Sequence, residues 1–132
     1  MNLIQEYIEL TKTCALTDYG DKKSVRLHNK SVGKMYEIAE KIGNEQTKET
    51  IDDFAILLEI NENKTNVWAA VHILERIPAD KTIEEKALRI IKQQADGESA
   101  QAMGFKIWLD NYKRKENNDP LTGVWQKNGF SA

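Results

Sequence analysis

Val25, His28, Val32, Met35, Ala39 and Ile42 recur at spacings of three and four over almost five turns, which is the period of one face of an α-helix. A strand would need a period of two. An apolar stripe of this length must lie against other helices to leave water, so it constrains the rest of the chain to supply them. The preceding segment, about residues 2 to 17, carries Leu3, Tyr7, Leu10 and Cys14 on one helical face, widened by Ile4 and Ile8. With turn formers at Asp18-Tyr19-Gly20, these two segments predict an antiparallel helical hairpin, and Gly43-Asn44 is the expected stop of the second helix.

Four more helices follow from the same period. The third is expected to begin near Thr47 or Thr50, to turn Ile51, Phe54, Ala55 and Leu58 inward, and to break at Asn61-Glu62-Asn63. A fourth places Val67, Ala70, Val71 and Leu74 on one side and ends at Ile77-Pro78, since proline has no amide to donate. A fifth starts near Asp80 or Thr82 and carries Ile83, Ala87, Ile90 and Ile91, with Asp96-Gly97 as its break. The sixth opens at Glu98 or Ser99 and runs to about Lys115. It bears two stripes, Ala100, Met103 and Ile107, and Ala102, Phe105, Leu109 and Tyr112, which predicts packing on two sides. No segment alternates β-branched and polar residues. The fold class expected is all-α, with about six helices stacked as hairpins in a single domain over residues 1–115. An irregular tail over 116–132 holds Trp125 and Phe130 among turn formers.

Composition narrows the function classes. A chain of 132 residues with 40% hydrophobic and 30% charged residues can bury a core without metal or disulfide staples. Nineteen basic against 21 acidic side chains leave a formal charge of -2, which disfavours a dedicated nucleic-acid binder. The lone Cys14 excludes a disulfide framework and a cysteine-rich zinc site, and fits a reducing cytoplasm. The N-terminus reaches Glu6 before any apolar run builds, and no apolar run is long enough for a membrane span. The expected protein is neither exported nor membrane-spanning.

Catalytic signatures are scarce. His28 and His72 stand on separate helices with no His or Cys at i+4, so neither forms a local metal pair. Each reads instead as a helix residue, His28 partly buried and His72 beside the Trp68 turn. Cys14 sits on an apolar stripe without an activating base at helical spacing and reads as core. Asp52-Asp53 and Glu84-Glu85 are adjacent, so their side chains diverge by about 100° and cannot share one proton. No phosphate-binding glycine loop or nucleophile elbow occurs. No cofactor, no metal and no catalytic residue are expected, although one sequence leaves open residues assembled by folding.

The third to sixth helices form two hairpins of roughly 35 residues each, a length compatible with HEAT-type repeats. Within them Trp68-Ala69-Ala70 followed by Ile73-Leu74, and later Ala102, Phe105 and Trp108, resemble a small bacterial HEAT-like family. The likeness covers about residues 48–115 and departs at Asn66, where such repeats usually place arginine, and in the tail. Members of such families recur as immunity proteins beside polymorphic toxins. The resemblance therefore implies a cytoplasmic protein, not an enzyme, that binds and blocks a cognate toxin domain, commonly a nuclease, and it implies no catalytic residue.

Charge distribution supplies the candidate surface. Residues 37–62 hold eight acids against Lys41 and Lys48, a local net of -6. Glu45, Glu49, Asp52, Asp53, Glu59 and Glu62 are the candidate partner-binding residues there, with Trp125 of the tail as an anchor. An acidic face imitates phosphates and steers a basic partner domain; the plain alternative is a solubilising face. Lys22, Lys23, Arg26, Lys30 and Lys34 make residues 21–34 basic with only Asp21 opposing. That patch supports the rival expectation of a HEAT-like scaffold or adaptor binding a peptide or nucleic acid in a groove between repeats.

Overall fold

A computed structural model of the protein describes residues 2–45 and 47–117, the side chains of 116 and 117 excepted. Six helices, α1 (Leu3–Ala15), α2 (Lys22–Glu45), α3 (Lys48–Ala55), α4 (Thr65–Arg76), α5 (Lys81–Ala95) and α6 (Ala100–Asn117), account for nearly all of it, and no strand occurs among the described residues. The fold is all-α.

Four of the helices, α1, α3, α5 and α6, begin where a short polar side chain satisfies a free amide of the first turn. Asn2 Oδ1 accepts from Gln5 N at 2.8 Å, Thr47 Oγ1 from Thr50 N at 3.3 Å, Asp80 Oδ1 from Ile83 N at 2.9 Å, and Ser99 Oγ from Ala102 N at 3.0 Å. Capping thus decides between the alternative starts that the sequence leaves for α3, α5 and α6. In the turn between α1 and α2, Asp18 Oδ1 accepts from Gly20 N and Asp21 Oδ1 from Lys23 N. Helix α4 ends at Arg76, with Ile77 extended before Pro78, and Gly97 at φ +129° separates α5 from α6.

Helices α1 and α2 pack closely and antiparallel, with Leu3 and Glu6 beside Ile38 and Lys41 at one end and Thr17 bonded to His28 at the other. Helix α4 is the centre. Val67, Ala69, Ala70, Val71, His72, Ile73, Leu74 and Glu75 are all buried, because α1, α2, α5 and the short 3-10 turn Ile56–Glu59 surround it. The third element is a short α-helix prolonged by that turn, which brings Leu57 and Leu58 into the core and leaves Ile56 exposed.

Two expectations are corrected. Helix α2 does not stop at Gly43 but continues to Glu45. Gly43 is buried, and a Cβ built on it would overlap the carbonyl oxygen of Arg76. Here glycine admits the end of α4 against the α2 backbone, a packing demand with no local sequence signature. Likewise α6 packs on one side only. Ala102, Trp108, Leu109 and Tyr112 are buried, whereas Ala100 is exposed and Met103 and Ile107 are 53% and 55% exposed. Periodicity marks a face that burial would favour, and along the stripe of Ala100, Met103 and Ile107 no neighbouring helix among the described residues buries it.

Two glycines of α2 separate these effects. Gly43→Ala should destabilise the fold by about 1–3 kcal/mol in urea unfolding, the range for overpacking. Gly33→Ala, whose Cβ would meet nothing within 4 Å, should stabilise it by about 0.5–1 kcal/mol through helix propensity.

Candidate functional site

A groove opens between the α1–α2 turn and the N-terminal parts of α2, α4 and α6. Its main lobe, about 380 Å³, is lined by Val25, His28 and Asn29 of α2, Lys64, Val67, Trp68 and Val71 at the start of α4, and Gln101, Gly104 and Phe105 of α6, with Tyr19 at the edge. A second lobe of about 450 Å³ shares Tyr19, His28, Lys64, Trp68 and Gln101 and reaches Cys14, Thr17, Asn61 and Asn63. The two form one trough with an aliphatic and aromatic floor and an amide-rich rim. Its size lies in the range of pockets that hold ligands.

The rim carries the structure's unusual backbone. Asn63 and Lys64 both take φ +56°, in the left-handed region that non-glycine residues seldom adopt. Asn61 and Asn66 hold this corner together through Asn66 N to Ile60 O at 2.9 Å and Asn66 Nδ2 to Asn61 Oδ1 at 3.1 Å. The result turns Lys64 across the trough, where its Nζ donates to Gln101 Oε1 at 3.2 Å. His28 Nδ1 lies 3.1 Å from Thr17 Oγ1, and its ring lies 5.8 Å from Tyr19 and 6.3 Å from Trp68.

The remaining chemically capable side chains are built into the core. His72 is fully buried, and its Nδ1 is hydrogen-bonded with the Tyr7 hydroxyl at 2.5 Å. Burial, reinforced by the positive charge of Arg76, pushes its pKa down to about 3, so the ring is neutral. Its Nε2 has no hydrogen-bond partner among the described residues, and the ring meets Tyr36 edge-on at 4.4 Å. Glu75 is equally enclosed, accepting from Trp108 Nε1 at 2.7 Å and Tyr36 Oη at 3.1 Å. Burial, then the neighbouring Glu75 carboxylate, raises the Tyr36 phenol. Cys14 is buried and its thiol is pushed up to about 11 by desolvation. These are groups held in their uncharged or fully bonded forms, unlike an activated nucleophile and base. Among the described residues no three His, Cys, Asp or Glu side chains gather to hold a metal.

The acidic residues singled out in the sequence lie along one stretch of chain. Glu45 ends α2, Glu49 and Asp53 are exposed on α3, and Glu62 is exposed in the short turn before α4. Two others are partly neutralised: Asp52 Oδ2 receives Lys48 Nζ at 2.8 Å, and Glu59 is paired with Lys86 of α5. Arg76 approaches Glu40 at 3.4 Å. Trp125 lies outside the described residues, as does nearly all of the tail expected over 116–132. Reading by periodicity missed the trough, because its walls come from positions some 80 residues apart in the chain, from Tyr19 to Phe105. The one local signal was the polar Asn61-Glu62-Asn63 break, which marks the rim.

No helix among the described residues is long and apolar enough to cross a membrane. No family model, curated protein or solved structure matches this chain.

Two titrations check the assignment of His72 and Cys14 to the core. The folded state resists protonating His72 down to about pH 3, whereas the unfolded ring accepts a proton near 6.5. Stability from this residue is therefore complete above pH 6.5 and is lost as pH falls, by about 3 kcal/mol at pH 4. Urea unfolding at pH 7 and pH 4 should show that loss, and His72→Gln should reduce the difference by a similar amount. With a thiol moved from 9.0 to about 11, native Cys14 should alkylate at pH 8 about 100-fold more slowly than in urea.

Proposed function

We propose that this protein acts by binding another protein and is an immunity-type inhibitor, occluding the active site of a toxin domain of basic charge, commonly a nuclease. It performs no chemistry of its own in this reading. The observation that carries the reading is the run of exposed carboxylates at Glu45, Glu49, Asp53 and Glu62, on the end of α2, on α3 and on the turn that follows. Mounted on a helical scaffold with an enclosed core, such charges attract a basic surface over several ångströms and raise the association rate more than the final affinity. The burial of His72, Glu75 and Cys14 in structural roles supports binding over catalysis. The trough beside the basic start of α2 favours a second reading, a scaffold or adaptor that takes a peptide or nucleic acid.

The test is co-purification with the product of the neighbouring gene, followed by growth rescue of cells expressing that product. One-to-one capture with rescue is the expected outcome. The double variant Glu49→Lys/Asp53→Lys should slow association by about tenfold at low salt and lose most of that effect at high salt. An association rate indifferent to both substitutions would remove the acidic surface from the reading.

A further inference from the structure

The trough has a chemistry opposite to that of the acidic surface. Among the described residues lining its two lobes, Lys64 carries the one full charge and no carboxylate is present, the exposed Glu62 lying just outside between Asn61 and Asn63. Lys22 lies on the same helical stripe as Val25 and Asn29, with Arg26 beside it, and both are exposed. Lys64 also stands at the N-cap of α4, where no side chain caps the first turn, so the positive end of the helix dipole adds to its charge. The nearby acids Asp18 and Asp21 are fixed in the α1–α2 turn by backbone amides. In this structure the Lys64 ammonium meets a neutral acceptor, the Gln101 amide oxygen; a carboxylate is a stronger one.

The lining is largely apolar and the lobe of about 380 Å³ is roomy enough for a large side chain, with Val67, Val71 and Trp68 in its wall, and Tyr19 is 73% exposed at its edge. A buried aromatic side chain removes 150–250 Å² from water, which makes it the commonest anchor in such a cleft. Because the two lobes run on from one another, the shape suits a length of polypeptide better than a single compact molecule.

We propose that this trough is a docking site for an acidic segment of a partner protein, which seats one aromatic side chain over Trp68 and sets a neighbouring carboxylate against Lys64. The proposal rests on the adaptor reading rather than on the inhibitor reading; the α3 acids lie outside the trough, and Glu62, between Asn61 and Asn63, is the acid of that surface that adjoins its rim. A nucleic acid is the poorer occupant, since one lining lysine in a chain of net charge -2 neutralises few phosphates.

Selection of a phage-displayed random peptide library on the immobilised full chain tests the proposal, with enriched sequences then made as fluorescein-labelled peptides and titrated by anisotropy. The enriched peptides should carry Trp, Tyr or Phe flanked by Asp or Glu. Lys64→Glu should weaken them by at least about tenfold. Gly104→Leu is the second variant, because its Cβ would meet nothing within 4 Å; it fills the trough without disturbing the fold and should weaken binding equally while leaving Tm unchanged or raised. Glu49→Lys/Asp53→Lys should leave the peptide affinity unchanged, which separates this site from the acidic surface. Enrichment of basic or uncharged peptides, no enrichment at all, affinity indifferent to Gly104→Leu, or tighter binding of single-stranded DNA than of the selected peptides would overturn it.

Discussion

A helix surrounded by others loses roughly 1–3 kcal/mol of stability for each polar group it leaves unpaired inside. Helix α4 is in that position, and its polar side chains determine how the other helices sit. Thr65 Oγ1 lies 2.8 Å from Thr11 Oγ1 and His72 Nδ1 is hydrogen-bonded with the Tyr7 hydroxyl, which fixes α4 against α1. Glu75 receives Tyr36 of α2 and Trp108 of α6 at its two oxygens. Apolar contacts alone tolerate sliding by a turn; these directional bonds tie α1, α2 and α6 to one register around the same helix.

The helices themselves were legible from sequence because their cause is local. The α2 stripe from Val25 to Ile42, the caps at Thr47, Asp80 and Ser99, and the breaks at Pro78 and Gly97 are all set by residues within a turn or two. What escaped was set by distant residues. Gly43 has the form of a helix stop, and only the arrival of the Arg76 carbonyl explains why the helix runs through it. Met103 and Ile107 have the spacing of a buried stripe, yet no helix among the described residues lies over them. Glu75, near the end of α4, gave no hint that two aromatic donors would enclose it.

The candidate surfaces divide in the same way. The acids of residues 37–62 are visible as a charge run, since charge density along the chain survives folding when the side chains stay outside. Their pairing with Lys48 and with the distant Lys86 is not visible. The trough is still less so. Two successive left-handed residues at Asn63 and Lys64, neither of them glycine, violate the local preferences on which sequence reading depends. Backbone of this kind persists where surrounding bonds over-determine it, and here those bonds come from Ile60, Asn61 and Asn66.

The meeting of Gly43 with Arg76 also bears on the trough. There the α2 backbone leaves no room for a side chain beside the end of α4, while the cavity lies between the same two helices at Val25 and His28 on one side and Val67 and Trp68 on the other. From Gly43 back to His28 is about 22 Å along a helix. The same two helices are thus sealed at one end by the absence of a side chain and held apart at the other by the presence of several, so one helix pair serves both as core and as the wall of the cleft.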